Sequence, residues 1–593
     1  MAKNKTPNQN KDKQSPPDLF EMARQGQEAF AEILKSTTAT ATAAFDPLNL
    51  TGSFVEASKS LASDPSKLVQ ANLDLWQEHM KLWQHATQRL AGEESEPVAT
   101  PEKGDRRFKH ARWSEDQMFD LIKQSYLITS RWLLNTMENL TDLDKKDAQK
   151  VSFYTRQFVD AFSPSNFALT NPEVLEATLN SKGENLVRGM DNLKRDIAEG
   201  GGNLKIAMTD KDAFEVGVNL ATTPGQVVYQ NEIMQLIQYE PSTKKVRKRP
   251  LLIVPPWINK YYILDLKPEN SFVKWIVDQG YTVFLVSWAN PDESLAEKTF
   301  EDYMQQGIID ACDAIEKATG CDEMTAIGYC IGGTLMAATL AYMAAIGDER
   351  IKAVTFFTAQ VDFSEPGDLG VFIDEHQLDS LDKRMAEKGY LEAGDMYTTF
   401  NMLRSNDLIW SFYVNNYLLG KDPLQFDLLY WNGDSTNMPR ETHMYYLREC
   451  YLHNNLVKPG ALVLKGVPID LSKINIPVYL QSSKEDHIAP YHSVFKLRKN
   501  VSGPVRFMLA GSGHIAGVVN HPDANKYQYW INEDQPDNLD EWIEGAEEHP
   551  GSWWPDWNKW LAKQSGAKKT EARKPGDGKL KPIEAAPGSF VKA

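Results

Sequence analysis

The sequence predicts an α/β protein, with a mostly parallel, doubly wound sheet preceded by a helical region. Three observations lead there. After Gly200, short continuous apolar runs alternate with helical segments, as expected of strands buried on both faces. Before Gly200, apolar residues recur at three-, four- and seven-residue intervals, which is helical spacing. One apolar run also ends in a glycine-rich turn that passes directly into a long apolar helix.

Composition narrows the class. The chain has 593 residues, 42% of them hydrophobic, enough for a large core and too many for a wholly disordered, collagen-like or disulfide-stapled protein. Its net charge of −17 argues against a nucleic-acid partner, which calls for a basic footprint. The four cysteines form no C-x-x-C pair, so no metal site is expected. The first residues contain no apolar signal core. The most membrane-like stretch, Thr334 to Ile346, is shorter than the ~18 residues of a spanning helix, so no transmembrane segment is expected. A cytoplasmic enzyme is the expectation.

The elements follow in order. Residues 1–17 are polar and predicted disordered. A helical domain covers 18–200. In it Phe20, Ala23, Phe30, Ile33 and Leu34 share one helix face, and Leu73, Trp76, Met80 and Trp83 share another. These faces either point into a core or dock a partner or an apolar particle. Residues 91–105 form a linker, and Asp105 to Leu140 resumes helix. The break EGGGN at 199–203 marks the main boundary. Strands are then predicted at 249–257, 281–288, 324–329, 351–357, 476–480 and 505–509 within a catalytic domain of 201–563. The stretch 364–470 lacks this rhythm and is rich in aromatics, so it reads as an inserted lid. Residues 564–593 read as an extended tail, and Trp553, Trp554, Trp557 and Trp560 as one face of a closing core helix.

The chemistry centres on Gly328-Tyr329-Cys330-Ile331-Gly332-Gly333. This G-x-C-x-G turn lies between a strand and a helix, the setting of a nucleophile elbow with Cys in place of Ser. A side chain two positions away on either side would clash with so sharp a turn. The helix N-terminus favours negative charge on the sulfur, and the N–H of Ile331 would face a developing oxyanion. A buried structural Cys is the plainer alternative. A nucleophile of this kind needs a base and an orienting acid, in the chain order nucleophile, acid, His. Asp486 follows the strand at 476–480, and His514 follows the strand at 505–509 in a glycine-flanked loop. This order and setting predict an α/β-hydrolase core. Glu485 competes for the acid position. His487 reads as a lining residue or a satisfied structural His, and His521 as a loop cap. The second oxyanion donor is expected from Trp257 or Ile258, since Pro255 and Pro256 have no N–H.

At these residues the sequence resembles the class I polyhydroxyalkanoate synthases. The motifs are PPWINKYYILDL at 255–266, VSWANPD at 286–292, GYCIGGT at 328–334, FDLLYWNGDSTNMP at 426–439, EDHIAP at 485–490, GSGHIAGVVN at 511–520, GSWWPDW at 551–557 and a terminal PGSFVKA. One departure is Trp257, where some members carry a smaller residue. The resemblance implies polymerisation of (R)-3-hydroxyacyl-CoA, such as 3-hydroxybutyryl-CoA, into polyester through a covalent Cys330 thioester. CoA would be part of the substrate and the leaving group, and no separate cofactor is implied. Cys330 would be the nucleophile and His514 its base. Asp486 would either activate the incoming 3-hydroxyl or support the histidine. Trp431 is implied as a lid residue near the site or a dimer contact, and Asp265 as a position affecting chain handling. A homodimer at the surface of polyester granules is implied too, in contact with the growing chain and with granule-associated proteins. Two rivals stand beside this reading: a Cys-type thioesterase or lactone hydrolase, and a non-catalytic granule scaffold.

Overall fold

The computed structural model describes residues 50–140, 143–566 and 568–593. The expectations for 1–17 and for the Phe20–Leu34 face lie outside these residues. The described chain divides into two compact units, one of Leu50–Ala207 with Ser405–Asp422, the other of Met208–Arg404 with Pro423–Ala593.

The first unit is helical. Among its helices are α1 (Leu50–Ser63), α2 (Pro65–Leu90), α3 (Gln117–Glu138) and α4 (Lys145–Ala161). An aspartate caps each of the last three: Asp64, Asp116 and Asp144 accept first-turn N–H groups. Leu82, Ala99 and Ile128 form one small core, and Phe108, Trp113 and Phe119 another. Asp120 is buried but paired, with His85 at 3.1 Å, Arg89 at 2.7 Å and Lys123 at 3.0 Å. Burial works against its charge, yet these partners hold the carboxyl below its usual range. The core-facing reading of α2 fails: Leu82 and His85 face inward, while Leu73, Met80, Trp76 and Trp83 are 48–61% exposed.

The stretch 364–470, read from the sequence as one lid, contributes to both units. The reason is polar. Asn185 Nδ2 donates to the Leu418 carbonyl (2.8 Å), Asn192 Nδ2 donates to that of Asn416 (3.1 Å), and Tyr417 Oη donates to Asp196 (2.5 Å). Carbonyls and side chains of Ser405–Asp422 are thereby tied to the helical unit.

The second unit is built on eleven strands. Strands β1 (Gly225–Gln230) and β2 (Met234–Tyr239) form an antiparallel hairpin. A short β3 (Lys245–Arg247) precedes the parallel strands β4 (Leu251–Val254), β5 (Val283–Trp288), β6 (Met324–Tyr329), β7 (Ile351–Phe357), β8 (Val478–Ser483) and β9 (Val505–Ala510). Strands β10 (Gln528–Ile531) and β11 (Glu547–Pro550) then add antiparallel. The tail supplies β12 (Lys569–Glu571) on β3, and β13 (Glu584–Ala585) on β1. The main sheet runs β11-β10-β9-β8-β7-β6-β4-β5-β2-β1-β13. Successive residues point to opposite faces: Leu252, Val254, Phe284 and Val286 enter one core, and Leu251, Ile253, Val283 and Leu285 the other. Helices α5 (Phe272–Asp278), α6 (Asp310–Thr319), α7 (Ile331–Ile346) and α8 (Trp554–Gln564) belong to this unit. The extended tail is stitched to the sheet, and Val591 near its end is 2% exposed.

Candidate active site

Strand β6 ends at Tyr329, and α7 begins at Ile331. Cys330 makes the turn between them with φ 53°, ψ −127°, a conformation that costs a non-glycine residue about 1–3 kcal/mol. Its N–H donates to the Phe357 carbonyl (2.9 Å), and its own carbonyl accepts the Gly333 N–H (2.8 Å). The flanking glycines are required by close approach. A Cβ on Gly332 would lie 2.5 Å from the carbonyl oxygens of Val254 and Pro255, and one on Gly328 would lie 2.6 Å from Gly333 Cα. Cys330 is half-buried, whereas Cys312, Cys321 and Cys450 are buried. Burial pushes the Cys312 thiol up to about 12.

Asp486 and His514 converge on this turn. The His514 Nδ1–H donates to Asp486 Oδ2 at 2.7 Å. The other carboxylate oxygen accepts the N–H groups of Ile488 and Ala489, each at 2.9 Å. Of the two adjacent acids, Asp486 is buried against His514 and Glu485 is exposed. The His514 ring stacks on Tyr329, with centroids 6.0 Å apart, and feels the Cys330 sulfur electrostatically. Burial disfavours a charged imidazole here. The Asp486 carboxylate and the Cys330 sulfur outweigh it and raise His514 well above its ordinary value.

The loop after β4 lies against the elbow through Val254 and Pro255. Several donors fix it. Trp288 Nε1 donates to the Pro255 carbonyl (2.9 Å), Thr436 Oγ1 donates to those of Trp257 (2.6 Å) and Ile258 (2.7 Å), and Trp431 Nε1 donates to that of Lys260 (2.7 Å). Trp431 therefore fastens this loop. Asp265 is different. Its carboxylate accepts hydroxyls from Thr223 (2.5 Å) and Ser271 (2.6 Å), and burial raises its pKa. Ser271 in turn caps α5, so Asp265 joins chain segments in the core and makes no hydrogen bond to the triad.

Sequence reasoning left several neighbours unnamed. Phe363, Tyr446 and Tyr451 pack together, with ring centroids 4.6–5.9 Å apart. Burial pushes both phenols up. The aromatic richness of the insert was the only signal for them. His487 is not the satisfied structural His it resembled: its Nδ1 is buried with no partner among the described residues. Burial, and then the Arg404 charge, lower it to about 4.

A parallel sheet with a strand–Cys–helix elbow and a following Asp and His defines an α/β-hydrolase-fold enzyme. A family model for the alpha/beta hydrolase fold matches residues 257–520. A second, described as the N-terminus of poly-beta-hydroxybutyrate polymerase (PhaC), matches residues 104–276. The chain is 47% identical to a poly(3-hydroxyalkanoate) polymerase of Methylorubrum extorquens, over 97% of this chain and 98% of the relative. It is 50% identical to a poly(3-hydroxyalkanoate) polymerase subunit PhaC of Rhizobium meliloti, over 89% and 86%. A subunit of that description from Cupriavidus necator is 43% identical, over 89% of each chain. The chain belongs to the poly(3-hydroxyalkanoate) polymerase family.

Proposed function

We propose that this enzyme polymerises (R)-3-hydroxyacyl-CoA, such as 3-hydroxybutyryl-CoA, into polyester with release of CoA. The observation that carries the reading is the half-buried Cys330 on its elbow, electrostatically coupled to a His514 that Asp486 holds at 2.7 Å. With the proton on His514, the sulfur attacks the thioester carbonyl. The C–S bond to Cys330 forms, the bond to CoA breaks, and His514 protonates the departing CoA sulfur. The N–H of Ile331 and one from Trp257 or Ile258 would hold the oxyanion. In elongation, neutral His514 takes the proton from the 3-hydroxyl of another hydroxyacyl-CoA. That oxygen attacks the Cys330 thioester, a C–O bond forms and the C–S bond breaks. The lengthened chain, now on CoA, re-acylates Cys330 and releases CoA.

Of the two roles open to Asp486, the geometry favours the support of His514. Both carboxylate oxygens are already engaged, one by the ring and one by two backbone donors. Phe363, Tyr446 and Tyr451 would keep water from the thioester and so separate this chemistry from that of a hydrolase. No helix among the described residues is long and apolar enough to cross a membrane. The exposed stripe on α2 supports work at the surface of a polyester granule in the cytoplasm, where it could meet polymer, a granule-associated protein or a second copy in a homodimer.

The test is incubation with 3-hydroxybutyryl-CoA while CoA release and turbidity are followed. The expected result is CoA release with polymer, absent in Cys330→Ala. Stoichiometric free 3-hydroxybutyrate without polymer would identify a thioesterase instead.

A further inference from the structure

We propose that Trp553 and Trp554, at the start of α8, are positioning residues for His514. The proposal rests on the triad reading above. His514 lies in an irregular turn, closed by the Gly517 N–H donating to the Gly513 carbonyl (2.9 Å) and the Val518 N–H donating to that of Ile515 (3.0 Å). The outward carbonyls of this turn are taken by tryptophans: Trp553 Nε1 donates to Gly517 (2.7 Å) and Trp554 Nε1 donates to Val518 (2.9 Å). Both indoles are buried. The turn cannot retreat on its other side, because a Cβ on Gly517 would lie 2.1 Å from Ser483 Oγ at the end of β8.

Trp553 does more than hold the turn. Its ring meets Phe357, with centroids 5.2 Å apart, and the Phe357 carbonyl accepts the Cys330 N–H at 2.9 Å. One indole thus touches the strand that fixes the sulfur and the turn that fixes the imidazole. Directional N–H···O bonds at both places set the sulfur–imidazole distance, to which proton transfer is steeply sensitive. Trp557, one helical turn further on, is equally buried but donates to Thr355 Oγ1 in β7 (2.9 Å) and not to the turn. Its ring also meets Phe357 (6.0 Å) and Trp553 (6.3 Å), so it shares the strand contact and controls for the loss of the bond to the turn.

The experiment replaces each tryptophan by Phe, which keeps a ring and removes the N–H. Three quantities are measured: thermal unfolding, single-turnover CoA release from 3-hydroxybutyryl-CoA, and the pH profile of Cys330 alkylation by iodoacetamide, corrected with Cys330→Ala. Trp553→Phe is expected to move the alkylation profile toward that of His514→Gln and to slow acylation on the order of ten- to a hundredfold, with KM little changed. Trp557→Phe is expected to lose comparable stability and leave the profile in place. If Trp553→Phe does not fold, Trp554→Phe decides by the same readouts. A folded variant of Trp553 or Trp554 with the wild-type profile overturns the proposal, as does an equal shift in Trp557→Phe. A His514→Gln profile identical to wild type would show that the triad reading itself has failed, and the positioning role falls with it.

Discussion

Cys330 occupies a backbone conformation that few side chains adopt, and its replacement separates geometry from chemistry. Cys330→Ser keeps the volume but substitutes a far more weakly acidic alcohol, and turns each thioester into an ester that passes the chain on less readily. Polymer formation is expected to fall nearly to nothing in Cys330→Ser, and acylation to vanish in Cys330→Ala, by CoA release and by mass of the intact protein. On the proposed role of Asp486 as the support of His514, Asp486→Asn should lose the initial CoA burst as His514→Gln does, by two to four powers of ten in rate, on the order of a misassigned tautomer in a triad. A retained burst with failed elongation would return Asp486 to the incoming hydroxyl. The raised His514 pKa has a thermodynamic sign as well. The charged ring is favoured in the folded state, so its stabilisation is complete below the ordinary value of 6.5 and is lost as pH rises through the higher folded value. The melting-temperature advantage of wild type over His514→Gln should therefore shrink between neutral and alkaline pH. An advantage that grows instead would contradict the assigned pairing.

Among the elements, the elbow is the least tolerant of added volume. Gly332→Ala would press a methyl group against two carbonyl oxygens of the β4 end, an overpacking that costs about 1–3 kcal/mol and moves the loop after β4 with it. It should lower the melting temperature and depress acylation together; normal acylation in a folded variant would show that the loop is not coupled to the turn. The elbow was also the most legible element. Its strand was expected at 324–329 and is Met324–Tyr329, because a continuous apolar run flanked by glycine has little other use. β7 was equally plain at Ile351–Phe357. The hairpin β1–β2 was missed, since Gln226, Gln235 and Gln238 interrupt its apolar pattern, and Gln235 and Gln238 are buried by partners from the distant tail. β11, with the sequence EEHP, is an edge strand with no apolar signal at all. Cys330, Asp486 and His514 were readable because chain order and strand ends constrain them. Tyr446, Tyr451 and the indole clamps were not, because each depends on contacts between elements far apart in sequence.

At the scale of the molecule, the helical unit has two different faces to lose. The inner one is a charge network: removing residues 1–100 would strip His85 and Arg89 from the buried Asp120 and expose Ile128. Such a truncation is expected to unfold the remaining helices of that unit while Cys330 can still be acylated. The outer face permits a cleaner test. Trp76→Glu with Trp83→Glu places charge on exposed positions and should change stability by no more than about 0.5 kcal/mol per site. It should nonetheless reduce binding to polyester granules or self-association, measured by sedimentation and light scattering. Unchanged behaviour in both assays would leave the stripe without a docking role.

The pairing of Glu584 and Ala585 with Val227 and Gln226 has a consequence for handling the protein. The tail around them, with the Ile583 and Ala586 N–H groups donating to the Val227 and Gly225 carbonyls, shields one edge of an eleven-stranded sheet, and the buried Val591 anchors it from beyond. A purification tag or fused reporter placed after Ala593 would pull directly on that anchor. Trimming the last dozen residues would bare the main-chain donors and acceptors of β1, an open template for pairing with a neighbouring molecule. Such preparations should precipitate at concentrations the untrimmed chain tolerates, so fusions are better carried at the other end.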